Sequence, residues 1–101
     1  MRMLLRVTMP VEPFNTAVRN GTAAAIMKRI LDEIKPEAAY FTANDGQRSG
    51  TLIVHLENAS DIPRLVEPWM LNFNAQIEIQ PAMTSEDLGR ADLDSLGKQW
   101  A

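Results

Sequence analysis

The stretch Ala38-Ala39-Tyr40-Phe41-Thr42-Ala43-Asn44-Asp45-Gly46-Gln47-Arg48-Ser49-Gly50-Thr51-Leu52-Ile53-Val54-His55-Leu56 decides the fold. Its two ends, 39–43 and 51–56, alternate between apolar and polar side chains, the two-residue rhythm of half-buried strands. Between them lies Asn44 to Gly50, in which Gly46 can adopt the positive φ that a tight reversal needs. The stretch therefore reads as a β-hairpin.

Outward from the hairpin, each arm leads to a helical pattern and then to another strand. On the N-terminal side, Met3, Leu5, Val7 and Met9 alternate with Leu4, Arg6 and Thr8, giving a first strand that Pro10 and Pro13 end. Ala23, Ile26, Met27, Ile30, Leu31 and Ile34 then share one helical stripe, stopped by Lys35-Pro36. Asn20-Gly21 is unfavourable inside a helix, so this region is one long helix or a short turn followed by a helix.

On the C-terminal side, Ser60 or Asp61 can cap a helix carrying Ile62, Leu65, Val66, Trp69, Met70 and Phe73. Pro68 should bend that helix or open it locally. The fourth strand, 75–81, sets Ile77 and Ile79 against Gln76, Glu78 and Gln80. Thr84-Ser85-Glu86-Asp87 resembles a capping box, with Asp in place of the usual Glu, and starts a C-terminal helix bearing Leu88, Leu93, Leu96 and Trp100.

The order strand, helix, strand, strand, helix, strand resembles the ferredoxin-like α+β fold: a four-stranded antiparallel sheet, helices on one face, and here an extra C-terminal helix. Residues 1–101 form one such domain. The helix-covered face takes Met3, Leu5, Val7, Phe41, Ala43, Leu52, Val54, Leu56, Ile77 and Ile79. The other face takes Leu4, Arg6, Thr8, Tyr40, Thr42, Thr51, Ile53, His55, Gln76, Glu78 and Gln80. That mixture is too greasy for a freely solvated surface and too polar for a dry core, which predicts a semi-buried interface. If the registers allow, Glu78, Arg6, His55 and Tyr40 form one polar row across the sheet.

Composition bounds the possibilities. At 101 residues, with 46% apolar and 23% charged residues, the chain supports a single core. The net charge of −3 argues against a phosphate-binding face, and no aromatic platform for RNA bases sits on the central strands. No run is long and apolar enough for a membrane span. The opening Met1 to Arg6 reads as a strand rather than a secretory leader, because Arg6, Thr8 and Pro10 break the apolar run. The absence of cysteine is compatible with the cytoplasm, where the reading places the protein, and removes thiol chemistry and disulfides. No nucleic acid, membrane or cofactor is expected.

The segments Lys35-Pro36-Glu37-Ala38-Ala39-Tyr40-Phe41, Glu67-Pro68-Trp69 and Met83-Thr84-Ser85-Glu86-Asp87-Leu88 carry a resemblance to the dimeric α/β-barrel superfamily, nearest to its small bacterial proteins of unknown function. In that superfamily two ferredoxin-like sheets stack open face to open face. Its members include cofactor-independent monooxygenases and muconolactone isomerases. The resemblance implies a homodimer and a small-molecule site, and transfers no catalytic residue.

The candidate ligand-binding residues are Arg6, Tyr40, His55, Trp69 and Glu78. His55, the only histidine, could shuttle a proton or simply be hydrogen-bonded within an interface, since no group that would orient it is evident. One histidine with Glu78 and Glu57 falls short of a metal site, and nothing beyond His55 itself points to haem. Arg6 and Glu78 could grip a carboxylate substrate or satisfy each other as a cross-strand ion pair. Tyr40 and Trp69 could wall an aromatic pocket, or Trp69 could be core.

Three functions follow. The first is a cytoplasmic homodimer that binds a small apolar or aromatic molecule, or assembles, without demonstrated catalysis. The second is a cofactor-independent monooxygenase or isomerase acting on an aromatic or enolisable compound, with His55 or Tyr40 handling the proton and Arg6 an oxyanion. The third is a protein-interaction module.

Overall fold

The computed structural model describes all 101 residues. Four strands, β1 (Arg2–Met9), β2 (Ala38–Asn44), β3 (Gln47–His55) and β4 (Gln76–Pro81), form one antiparallel sheet in the order β2-β3-β1-β4. The ferredoxin-like reading holds, with the first and third strands central. The sheet is open, ending in two edge strands, β2 and β4, and does not close into a barrel.

The hairpin is tighter than the sequence suggests. Asp45 and Gly46 alone form the turn, with φ of 51° and 72°. Two consecutive left-handed residues suit the twist of the flanking strands. β3 consequently begins at Gln47, and the polar run 47–50, expected as loop, is paired: Phe41 lies opposite Gly50 and Ala43 opposite Arg48. Gly50 leaves room for the Phe41 ring, since a Cβ there would sit 2.9 Å from Phe41 Cε1.

Helices α1 (Val11–Arg19), α2 (Ala23–Ile34) and α3 (Ile62–Phe73) cover one face, α3 being entered through a 3₁₀ turn at Ala59–Asp61. Asn20-Gly21-Thr22 separates α1 from α2, with Gly21 at φ 79°, so the break falls at the unfavourable pair and the segment before it is a helix in its own right rather than the short turn expected. Lys35, at φ 45°, ends α2 just before Pro36. α3 runs through Pro68 as a single element, in place of the local opening that the missing N–H predicted. Asn72 Nδ2 donates to the Pro68 carbonyl at 2.7 Å.

Between helices and sheet, Leu5, Val7, Leu52, Val54, Leu65, Trp69 and Phe73 are completely buried, as the alternation in β1 and β3 requires. Phe14 stacks on Phe73 with ring centroids 4.6 Å apart, and the Arg48 guanidinium lies 4.6 Å from the Phe14 centroid, closing the core at the hairpin end. Phe41, at 48% exposed, and Ala43 point to the same side but extend past the helices.

The expected C-terminal helix is two short ones, α4 (Ser85–Arg90) and α5 (Leu93–Gln99), broken at Asp92 with φ 54°. The capping box is present: Asp87 N–H donates to Thr84 Oγ1 and Thr84 N–H to Asp87 Oδ2, each at 3.0 Å. Every residue from Leu88 to Ala101 is exposed. The segment projects as an arm, and the radius of gyration is 17.0 Å, where a compact chain of this length has about 13 Å.

Candidate functional site at the open face of the sheet

The uncovered face of the sheet is ordered in rows by the strand register. At one end Arg2 lies opposite His55. The next row is Gln80, Leu4, Ile53 and Ala38, and the one beyond it is Glu78, Arg6, Thr51 and Tyr40. His55 is therefore not in the row foreseen for it. Thr51 occupies that place, and His55 lies four residues along β3, about 13 Å away. The sequence fixes which face a strand residue joins; its position along the sheet depends on the offset between strands.

Arg6, Tyr40 and Glu78 are brought into one row, and all three are exposed. Arg6 and Glu78 face each other without forming an ion pair. Trp69 is on the opposite side of the sheet, fully buried, with no hydrogen-bond partner for its indole N–H. It shares no wall with Tyr40.

The polar contacts concentrate around His55. Its Nε2 lies 2.9 Å from Glu37 Oε1. Arg2 Nε donates to that same oxygen at 3.0 Å, and Arg2 Nη2 is also 3.0 Å from it. Asp87 Oδ2, at the base of the arm, is 4.0 Å from Arg2 Nη1. Glu37 is set in place by its own backbone, whose N–H donates to the Ile53 carbonyl at 2.8 Å and continues the β2–β3 ladder by one step.

The Arg2 guanidinium, followed by the His55 ring, lowers the pKa of Glu37 below its ordinary value. An ionised carboxylate only accepts, so His55 Nε2 is the donor in this contact. The orienting group that the sequence did not reveal is thus Glu37, supported by Arg2. Arg2 shares parity with Arg6 in β1, and Glu37 immediately precedes β2; only the β1–β3 and β2–β3 offsets bring them to His55.

One cavity borders this region and another lies across the core. One, of about 460 Å³, lies beside His55 and is lined also by Leu56, Glu57, Asp61 and Arg64. The other, of about 390 Å³, runs between α2 and α3 on the far side of the core. No cluster of His, Asp and Glu gathers the three ligands a metal ion would need. No helix is long and apolar enough to cross a membrane.

With this geometry established, the chain can be placed. Residues 3–94 match a family described as a domain of unknown function, DUF3303, and the chain belongs to that family. No curated protein matches. Among solved structures, the chain is similar to 5-chloro-2-hydroxyhydroquinone dehydrochlorinase from Burkholderia phenoliruptrix in complex with 2,5-dihydroxybenzoquinone. The two share 17% identity over 86% of this chain and 99% of that one, with a TM-score of 0.57. It is also similar to the de novo designed protein Ferredog-Diesel, at 7% identity over 80% and 85% of the respective chains, with a TM-score of 0.46.

At such identities the likeness to the dehydrochlorinase establishes the fold alone. The assignment to the dimeric α/β-barrel superfamily is corrected to an open, non-barrel ferredoxin-like sheet. The segments behind that assignment are local punctuation: the Lys35-Pro36 helix stop, Pro68 within α3 and the Thr84 capping box. They mark where elements begin and end and carry no information about how two sheets would meet.

Proposed function

We propose that this protein is a cytoplasmic, cofactor-independent enzyme that moves a proton on an aromatic or enolisable small molecule, with His55 as general base. The observation that carries the reading is the Glu37–His55 pair. Hydrogen-bonded to an ionised carboxylate through Nε2, the imidazole presents Nδ1 as the basic nitrogen, and the imidazolium formed on proton abstraction is stabilised by the same carboxylate. Arg2 keeps Glu37 charged and is a positioning residue.

The row Leu4–Ile53 provides an apolar floor next to His55, and beyond it stand Arg6, Tyr40 and Glu78. A flat ring laid on that floor meets the base at one edge and, at the other, a guanidinium able to receive a phenolate or carboxylate. A similarly folded chain that processes a chlorinated hydroxyhydroquinone supports the choice of substrate class. Self-association as a homodimer belongs to the same reading, because the apolar floor has no covering element in its own chain.

The test is solvent-deuterium exchange into a panel of hydroxylated aromatics, quinones and enolisable ketones, followed by NMR. Exchange by the wild-type protein should fall about 10²-fold or more in His55→Ala, and less in Glu37→Gln, which keeps the hydrogen bond but not the charge. Equal exchange by His55→Ala and wild type removes the assigned role, and no exchange of any probe above the buffer rate removes the enzymatic reading.

A further inference from the structure

β2 is an edge strand whose own sequence does nothing to keep another strand away. Natural sheets blunt an exposed edge with charged side chains, prolines or bulges. β4, at the other edge, carries Glu78 and ends in Pro81. β2 reads Ala38-Ala39-Tyr40-Phe41-Thr42-Ala43-Asn44, with no charge and no proline, and every residue from Tyr40 onward is exposed. Both faces are open at its middle: Tyr40 is 73% exposed on one side, and Phe41 extends past the helices on the other.

The turn determines which backbone groups of β2 are free. In a two-residue hairpin the residues flanking the turn, here Asn44 and Gln47, exchange both of their hydrogen bonds, and bonded pairs then alternate along the ladder. Thr42 and Tyr40 therefore turn their N–H and C=O groups towards Ser49 and Thr51, and Ala38 turns its own towards Ile53. Ala39, Phe41 and Ala43 turn theirs away from the sheet. Those three residues lie symmetrically about Phe41, the centre of the strand.

We propose that β2 of one molecule pairs antiparallel with β2 of a second copy, about a twofold axis at Phe41. In that register Ala39, Phe41 and Ala43 exchange both bonds with Ala43, Phe41 and Ala39 of the second copy, so every outward backbone group of the strand is used. The side chains fit the same register. Phe41 meets Phe41, small Ala39 meets small Ala43, and on the open face large Tyr40 lies opposite the smaller Thr42. A strand so matched to its own reverse selects a second copy as the occupant. Pairing consumes the unprotected edge of both molecules and leaves the blunted β4 at each end of one continuous sheet, so assembly stops at the dimer. The Tyr40 ends of the two Arg6–Thr51–Tyr40 rows then meet at the seam. The proposal concerns the edge of the sheet, not its apolar floor, and does not rest on the enzymatic reading above.

The chain has no cysteine, so introduced ones report the register. In Phe41→Cys the two facing Cα atoms lie about 5.5 Å apart, within disulfide reach, and oxidation should give a covalent dimer. Ala43→Cys should not cross-link to itself, because its counterpart lies about 13 Å along the strand, but should cross-link when mixed with Ala39→Cys. Sedimentation equilibrium of the wild-type chain at micromolar to submillimolar concentration should show a dimer. Its dissociation constant should rise about 10-fold or more in Ala43→Pro, which removes an outward N–H, and in Phe41→Lys, which sets two ammonium groups opposite each other. Circular dichroism checks that both variants fold, and the cysteine pattern decides alone if either does not. A wild-type monomer overturns the proposal and leaves the edge to an extended segment of another protein. A dimer undiminished by both substitutions overturns the edge as the contact. Cross-linking of Ala43→Cys to itself, with none in Phe41→Cys, overturns the register.

Discussion

The two faces of the sheet are built from the same four strands and have opposite requirements. On the helix side, consecutive inward residues such as Leu5, Val7, Leu52 and Val54 are interchangeable contributors to one packed layer, and what matters is that each is apolar and of suitable volume. On the open side, identity and position both matter. Arg2 and Arg6 are the same residue type on the same face of the same strand, yet only Arg2 meets a carboxylate. A core tolerates exchange among similar residues, whereas a polar cluster depends on one offset between strands.

That contrast can be tested from its largest effect downwards. Trp69→Ala, at the centre of the packed layer, should destabilise the domain by about 3–5 kcal/mol in chemical denaturation. Trp69→Phe should cost clearly less, because it keeps most of the ring volume and removes an indole N–H that has no partner. Equal losses in the two variants would show that ring volume at this position does not set the stability of the packed layer.

A smaller effect belongs to the open side. Glu37, Asp61 and Asp87 have folded pKa values below their ordinary ones. The causes are, first, the Arg2 hydrogen bond for Glu37, the Glu57 backbone N–H for Asp61 and the Thr84 backbone N–H for Asp87. Their stabilisation is complete above the usual carboxylate range of about 4, and disappears as the pH falls through the lowered values. Thermal midpoints measured from pH 6 to 2 should therefore fall on the acid side. In Glu37→Gln that fall should be shallower, by the share of one of the three groups. An acid limb identical to that of wild type would mean that the Arg2–Glu37–His55 contacts do not persist in solution.

The smallest effect tests the arm. Thr84→Ala removes the side-chain half of the capping box, worth about 1 kcal/mol to helix α4. Because nothing from Leu88 onward is buried, the loss should appear as faster amide exchange in α4 with the global melting midpoint unchanged. A lowered global midpoint would show that the arm and the body unfold as one unit.

What the amino-acid sequence alone makes legible follows the same division. The parity of each strand, the helix stop at Lys35-Pro36 and the capping box at Thr84 are local, and residues within a few positions of one another decide them. The strand order came from the sequence of elements. Three features were beyond local reading. The hairpin needed the knowledge that Gln47 to Gly50 would pair despite their polarity, which follows from Asp45 accepting a left-handed conformation and from Gly50 making room for Phe41. The polar row needed the β1–β3 offset, and without it His55 was placed beside Arg6 instead of Arg2. The continuity of α3 through Pro68 depends on packing: Leu65, Trp69 and Phe73 hold the helix to the core on both sides of the proline.

The two-residue turn at Asp45-Gly46 has a reach well beyond its own size. Glu37 lies eight positions back along β2, about 26 Å from the tip, and its pairing partner on β3 is set by counting from that tip. One inserted residue would change the parity of β2 against β3, sending Tyr40 towards the helices and Phe41 to the outside. It would also carry the carboxylate off the imidazole. The hairpin tip is thus a ruler for a distance at the other end of the molecule, and a length change there would abolish a contact that it never touches.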